Sequence, residues 1–352
     1  MMTTESGADS DITRAIRLLA VTITGAVLLA LGVMAWVSGL TNLFGTGSLK
    51  VAAQMENLPA PASEYWQPPD IRALADRAGA EEITYGRELI AHTARYLGPK
   101  GSVQKISNGM NCQNCHLDAG TKTFGNNYSA VSATYPKFRA RSGKVESIEK
   151  RVNDCFERSL NGRALDSASR EMRAIVSYIQ WLGSGVEKGK APKGSGLAKL
   201  ETPGRAADPA NGKQLYALQC IACHGKDGQG MKQPDGIEYQ FPPLWGEQSY
   251  NQGAGLFRLS TFAQYIRSNM PLGTTFDHPV LSEEQAWDIA AYINSQPRPG
   301  MDVSRDWPKI ESKPFDHPFG PYADPFTEKQ HKYGPYEEIR KFYNEKNSRE
   351  KS

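Results

Sequence analysis

Cys112-Gln113-Asn114-Cys115-His116 decides how this chain is read. Two cysteines bracket two residues, and a histidine follows directly. That spacing lets two thiols form thioethers to the vinyl groups of one haem while the imidazole ligates its iron from the proximal side. A second copy stands at Cys220-Ile221-Ala222-Cys223-His224. A redox dithiol or half of a zinc site would explain one motif. It does not explain two complete copies about a hundred residues apart. The motifs therefore imply two covalent haems c on Cys112, Cys115, Cys220 and Cys223, with His116 and His224 on the irons. Such attachment takes place on the oxidising, extracytoplasmic side.

Working outward from the motifs, an internal repeat appears. Ala174-Ile175-Val176-Ser177-Tyr178-Ile179 resembles Asp288-Ile289-Ala290-Ala291-Tyr292-Ile293. Met270 lies 22 residues before Tyr292, and Cys155 lies 23 before Tyr178. In small c-type cytochromes that slot holds the distal iron ligand, so Met270 is the candidate in the second domain. Met231 is too close to His224, and Met301 lies beyond the domain. In the first domain, Met172 and Met110 lack the register. Of five cysteines the haem motifs use four, which leaves Cys155. A free cysteine is commonly a small buried hydrophobe. Its slot and its neighbours point instead to an iron ligand or a reactive thiolate. On a helix Arg151, Cys155 and Ser159 share a face at i, i+4 and i+8. Arg158 follows at i+3 from Cys155, and Arg141 arrives from the preceding basic loop. Together these arginines would stabilise a thiolate and bind a small anion.

The elements fit a mainly α fold: two class I cytochrome c-like haem domains in tandem, preceded by an N-terminal transmembrane helix. Helical patterns cover Glu81 to Leu97, Ser147 to Asn161, Asp166 to Leu182, Asn211 to Leu218 and Phe257 to Arg267. Ser282-Glu283-Glu284-Gln285 is a capping box that opens a last domain helix reaching Asn294. Residues 1–17 read as a cytoplasmic N-terminus and 18–40 as a transmembrane anchor. Residues 41–80 read as a linker, 81–183 as the catalytic haem domain and 184–209 as a second linker. Residues 210–297 read as an electron-transfer haem domain and 298–352 as a tail whose aromatics dock on the domains. The last dozen residues read as mobile.

The anchor assignment rests on length. Leu18 to Leu40 is 23 residues without a charge, preceded by Arg14 and Arg17. At ~1.5 Å per residue it matches a ~30 Å hydrocarbon core. A cleaved signal peptide would have a shorter apolar core, and Trp36 stands where an interfacial anchor would. The catalytic part would then face the periplasm from a single-pass anchor in the inner membrane. The 352 residues suffice for two domains, and a hydrophobic content of 39% is modest, as befits cores completed by haem. The formal charge of +3 gives no ground for a nucleic-acid partner, and none is expected.

The chain resembles the dihaem c-type thiosulfate dehydrogenases, which form tetrathionate and in some members run as tetrathionate reductases. The residues that carry the resemblance are the two haem motifs, Arg141, Arg151 to Gly162 around Cys155, Asn269-Met270-Pro271, and tail segments from Pro318 to Gly334. It covers roughly Glu81 to Tyr336. The resemblance implies that Cys155 is the distal ligand of a catalytic first haem and that Arg141, Arg151 and Ser159 line the substrate pocket. It also implies that Met270 ligates an electron-transfer haem. Where some members carry lysine before the methionine, this chain has Asn269, which argues against a lysine ligand switch. The implied partners are thiosulfate or tetrathionate and an electron-accepting cytochrome or membrane redox protein.

Two other readings compete. A membrane-tethered dihaem electron carrier or oxidase subunit would explain the haems and the anchor, but not a cysteine among arginines in a ligand slot. A dihaem peroxidase would need an acid/base residue over an open haem. His92, His278, His317 and His331 read as structural or exposed rather than as that residue.

Overall fold

The computed structural model describes residues 19, 22–36, 64–74 and 77–349. The chain divides into two compact units, residues 1–63 and 64–352. In the first unit, residues 22–36 form a helix whose side chains are all exposed. Among the described residues no helix is long and apolar enough to cross a membrane. The expected anchor over Leu18–Leu40 is thus not supported. The rest of that stretch, residues 1–17 and most of the expected first linker lie outside the described residues.

The second unit holds both haem domains. In the first, α1 (Ala80–Ala91) and α2 (Thr93–Leu97) break at His92, so the single helix expected there is two. A hairpin of β1 (Lys137–Arg139) and β2 (Lys144–Glu146) follows, with Phe138 opposite Val145. Then comes α3 (Ile148–Asp154), capped by Ser147, whose side chain accepts from the Lys150 N–H. It runs directly into a π turn over Cys155–Ser159. Helix α4 (Arg170–Leu182) begins later than its pattern suggested, with Ser169 as N-cap.

The second domain repeats the plan with α5 (Pro209–Gln219), a short β3–β4 ribbon (Met231–Lys232, Tyr239–Phe241), α6 (Leu259–Asn269) and α7 (Glu283–Ser295). The Ser282/Gln285 capping box is present as expected. In each domain the first helix crosses the last at a glycine. A Cβ on Gly86 would stand 1.9 Å from the Ala174 carbonyl oxygen and 2.9 Å from Tyr178 Cβ. A Cβ on Gly212 would stand 1.9 Å from the Asp288 carbonyl oxygen and 2.9 Å from Tyr292 Cβ. These are the pairs that the repeat places in register, and only glycine permits the approach.

The segments between and after the domains are docked rather than loose. The carbonyls of Gly194 and Gly196 accept from the backbone of Phe124 and Asn126. The tail forms α8 (Glu328–Tyr333) and α9 (Glu337–Arg349), so residues expected to be mobile are helical as far as 349. Tyr336 and Ile339 are fully buried in the second core, and Phe319 packs on the first. Buried Asp316 binds the Arg258 guanidinium at 2.6 Å and takes the Ser260 N–H at 2.9 Å, which caps the start of α6 from the tail. His331, also buried, bonds the Phe315 carbonyl and Asp324 and stacks on Tyr322, so it is structural.

Candidate active site

The two proximal histidines are oriented alike. His116 Nδ1 bonds the Asn126 carbonyl at 2.5 Å, and His224 Nδ1 bonds the Pro242 carbonyl at 2.8 Å. A carbonyl can only accept, so Nδ1 carries the proton. The Nε2 lone pair is then free for a metal, the arrangement that a second shell commonly imposes on ligating imidazole. Tyr128 stacks on the His116 ring and holds its plane.

The motif cysteines and Cys155 differ in electrostatic character. Burial pushes the thiols of Cys112, Cys115 and Cys220 up to about 12, so they are neutral sulfurs suited to thioethers. No disulfide forms among the five cysteines. At Cys155 burial also pushes upward. The Arg151 guanidinium, and after it His116, outweigh burial and bring the thiol down to about 6. Arg151 Nη1 stands 3.1 Å from Cys155 Sγ. The His116 imidazole lies near enough to the Cys155 thiol to help lower its pKa.

Helix α3 and the π turn arrange the rest. The Leu160 N–H bonds the Cys155 carbonyl at 2.9 Å, five residues back. This wider turn breaks the i, i+4, i+8 register expected for Arg151, Cys155 and Ser159. Arg151 keeps its place beside the sulfur, while Ser159 sits half-buried at the end of the turn. Arg141 comes from the β1–β2 turn. Burial and the charges of Arg158 and Arg151 hold its pKa down. Its Nη1 donates to the Gly253 carbonyl at 3.3 Å, and its Nη2 lies 3.5 Å from Asp154. Arg158 shares that carbonyl but is committed elsewhere. Its Nη1 and Nη2 bind Asp306 of the tail at 2.7 and 2.8 Å. Arg151 thus stands at the thiol, Arg141 and Arg158 meet at the Gly253 carbonyl, and Arg158 is neutralised by the tail.

Several of these partners were not anticipated. Gly253, Asp306 and Trp307, whose N–H bonds the Arg141 carbonyl at 2.7 Å, reach the site through long-range packing. Glu238 is another. Its buried carboxylate binds His92 at 2.9 Å, Asn111 at 3.0 Å and Arg95, which ties the β3–β4 ribbon to the first haem motif. His92 is thereby a structural group, while His278 is exposed beside Asp277.

The second motif opens on a cavity of about 320 Å³ lined by Cys220, Cys223, His224 and Met270. Apolar walls from Phe262, Ile266 and Ile289 suit a macrocycle, and Met270 caps α6 within reach of the cavity. Asn269 is buried and donates to the Phe124 and Tyr265 carbonyls. The first motif borders the same cavity: Tyr265 lines it and donates its hydroxyl to the Asn114 carbonyl at 2.9 Å. The donor sets at both motifs therefore fit haem.

Comparison with known proteins agrees with this geometry. Residues 102–187 match the family model "SoxA/TsdA, cytochrome c domain", and residues 209–297 match "Cytochrome c". The chain is 37% identical over 284 residues to a thiosulfate dehydrogenase of Stutzerimonas stutzeri, covering 81% of this chain and 85% of that one. It is 39% identical over 235 residues to a thiosulfate dehydrogenase of Allochromatium vinosum, covering 66% and 83%. Among solved structures it is similar to thiosulfate dehydrogenase TsdBA from Marichromatium purpuratum, with a TM-score of 0.62 and 35% identity. That match covers 68% of this chain and spans about half, 51%, of the solved one. Two cytochrome c domains, each with its attachment motif, make this a protein of two covalent c-type haems.

Proposed function

Because the chain belongs to the thiosulfate dehydrogenase family, we propose that it oxidises two thiosulfate ions to tetrathionate, 2 S2O3(2−) → S4O6(2−) + 2 e−, in a reaction that can run in reverse. The observation that carries the reading is the Cys155 thiol held 3.1 Å from Arg151 Nη1 and beside His116, with Arg141 near enough to Arg151 for the two charges to repel. The haems supply the sink for the two electrons and the route by which they leave. The residues of the chain do the rest. Arg141 and Arg151 bind and orient a dianion by charge-assisted hydrogen bonds. Ser159 contributes a hydroxyl at the edge of the pocket. Cys155 would hold the first iron together with His116, and its sulfur is the group that meets the outer sulfur of thiosulfate. His224 and Met270 would hold the second iron, where a methionine ligand would raise the potential and favour electron exit toward a cytochrome or membrane redox protein.

Covalent haem attachment at these motifs supports an extracytoplasmic location. A tether through residues 18–40 rests on the uncharged run in the sequence alone. The test is turnover of purified holoprotein with thiosulfate and an artificial one-electron acceptor, with tetrathionate measured as product. Acceptor reduction with no tetrathionate formed would refute the reading and favour a dihaem electron carrier.

A further inference from the structure

Arg298 lies just past α7, where its guanidinium is enclosed and incompletely bonded. Its Cζ stands 4.3 Å from the ring centre of Tyr250 and 4.9 Å from that of Phe257. Nη2 donates to the Ile293 carbonyl at 2.8 Å. Nε and Nη1 are closed to solvent and make no hydrogen bond of good geometry among the described residues, the Tyr250 hydroxyl being the nearby oxygen. Ring stacking satisfies part of a guanidinium, but it does not replace two missing acceptors on a half-buried cation. A buried charge is stable when paired, and the partner suited to these donors is an oxyanion.

The surroundings narrow the choice. Tyr250 and Phe257 belong to the apolar core that also packs Met110 and Cys112 of the first haem motif. Tyr250 in addition lines the cavity of the second motif. The free donors therefore lie between the two haem compartments, and the carboxylates that each haem brings into such a space are its propionates. We propose that Arg298 binds a propionate carboxylate of one of the two haems and, by placing a fixed positive charge there, raises that haem's reduction potential. One rival source of the same chemistry is close. Pro299 accepts from the Gln252 N–H at 3.1 Å, and the neighbouring Gly253 carbonyl is the acceptor shared by Arg141 and Arg158. A substrate sulfonate could thus be the acceptor instead.

The test is a spectroelectrochemical titration of dihaem Arg298→Gln and Arg298→Lys, with haem content and the KM for thiosulfate measured on the same preparations. Haem content of the wild type, measured first, checks the dihaem premise separately. Loss of the charge should stabilise the ferric state of one haem by roughly tenfold, a fall of about 59 mV for one electron, and leave the other haem in place. Lysine should recover part of the shift, and KM should not change. If both potentials stay at wild-type values in a two-haem variant, the proposal is overturned. If KM rises while the potentials hold, the donors serve the substrate and the proposal is likewise overturned. Should neither variant accumulate, a high-resolution structure of the wild-type holoprotein decides. A propionate oxygen within hydrogen-bond distance of Nε or Nη1 supports the proposal, and its absence there overturns it.

Discussion

Asp306→Asn separates what the tail does for stability from what it does for the site. The Arg158–Asp306 pair is bidentate at 2.7 and 2.8 Å, and the two side chains are only 13% and 12% exposed. At that burial it is not a surface ion pair, whose median worth is at most about 1 kcal/mol. Removing one partner of a buried pair costs about 3–5 kcal/mol, because the other charge is left uncompensated. Some solvent contact remains, so the lower end, about 3 kcal/mol, is expected here. For a folded body of this size, with each kcal/mol shifting the midpoint by about 2–4 °C, that is a fall in Tm of about 6–12 °C. The same change releases the Arg158 charge beside Arg141, whose pKa already reflects its repulsion. The pocket gains one net positive charge, so the KM for thiosulfate should fall, and more so at low ionic strength. Thermal unfolding followed at the Soret band, with initial rates at two salt concentrations, checks both effects. A Tm within about 1 °C of wild type would show that the pair contributes no more than a surface contact. An unchanged or raised KM would show that Arg158 does not act on the substrate pocket.

Four further outcomes are expected. Cys155→Gly should keep two covalent haems, lose the thiolate-ligated spectrum of one and lose thiosulfate oxidation by several orders of magnitude. Cys155→Met should restore six-coordination without restoring activity, and near wild-type turnover by that variant would exclude a role for the sulfur beyond ligation. Gly212→Ala should destabilise the second domain by about 1–3 kcal/mol or more, because its Cβ would stand 1.9 Å from the Asp288 carbonyl oxygen; denaturant titration measures this. Asp316 should support stability at neutral pH and withdraw it in acid. Burial raises its pKa, but Arg258 and Ser260 outweigh that and hold it below the usual carboxylate range. Its contribution is therefore present above about pH 4 and lost as pH falls through the lower folded value. Asp316→Asn should flatten that acid limb, and an acid midpoint and slope identical to wild type would contradict the assignment.

Local chemistry made the haem sites legible in the sequence. The two motifs fix ligand and attachment within five residues each, and the Ser282/Gln285 box names its helix start within four. The repeat also carried real geometry, since Gly86 and Gly212 meet Tyr178 and Tyr292 in the register that the helices predicted. What escaped was set by closure over long separations. Asp306 reaches Arg158 across 148 residues, and Glu238 reaches Asn111 across 127. No periodicity marks such partners. In the segment 184–209 the backbone is bonded into the first domain, with the Gly194 and Gly196 carbonyls accepting from Phe124 and Asn126, which composition does not reveal. At the N-terminus, an uncharged run of adequate length stands where no described helix is long and apolar enough to cross a membrane.

The π turn shows most clearly why sequence spacing stops short of a site. Strict α geometry would have put Ser159 in line with Arg151 and Cys155. The five-residue bond from Leu160 to the Cys155 carbonyl inserts extra backbone at the point where the sulfur emerges. The second domain meets the same need differently, ending α6 at Asn269 so that Met270 leaves the helix in extended backbone. A methionine is long and flexible enough to reach inward from a helix end. A cysteine has one rotatable bond before its sulfur, so the backbone itself must approach, and the widened turn lets it do so while Arg151 stays on the preceding α turn. The one-residue offset between the two slots, 23 against 22 residues from the matching tyrosines, accompanies this difference in how each candidate ligand leaves its helix.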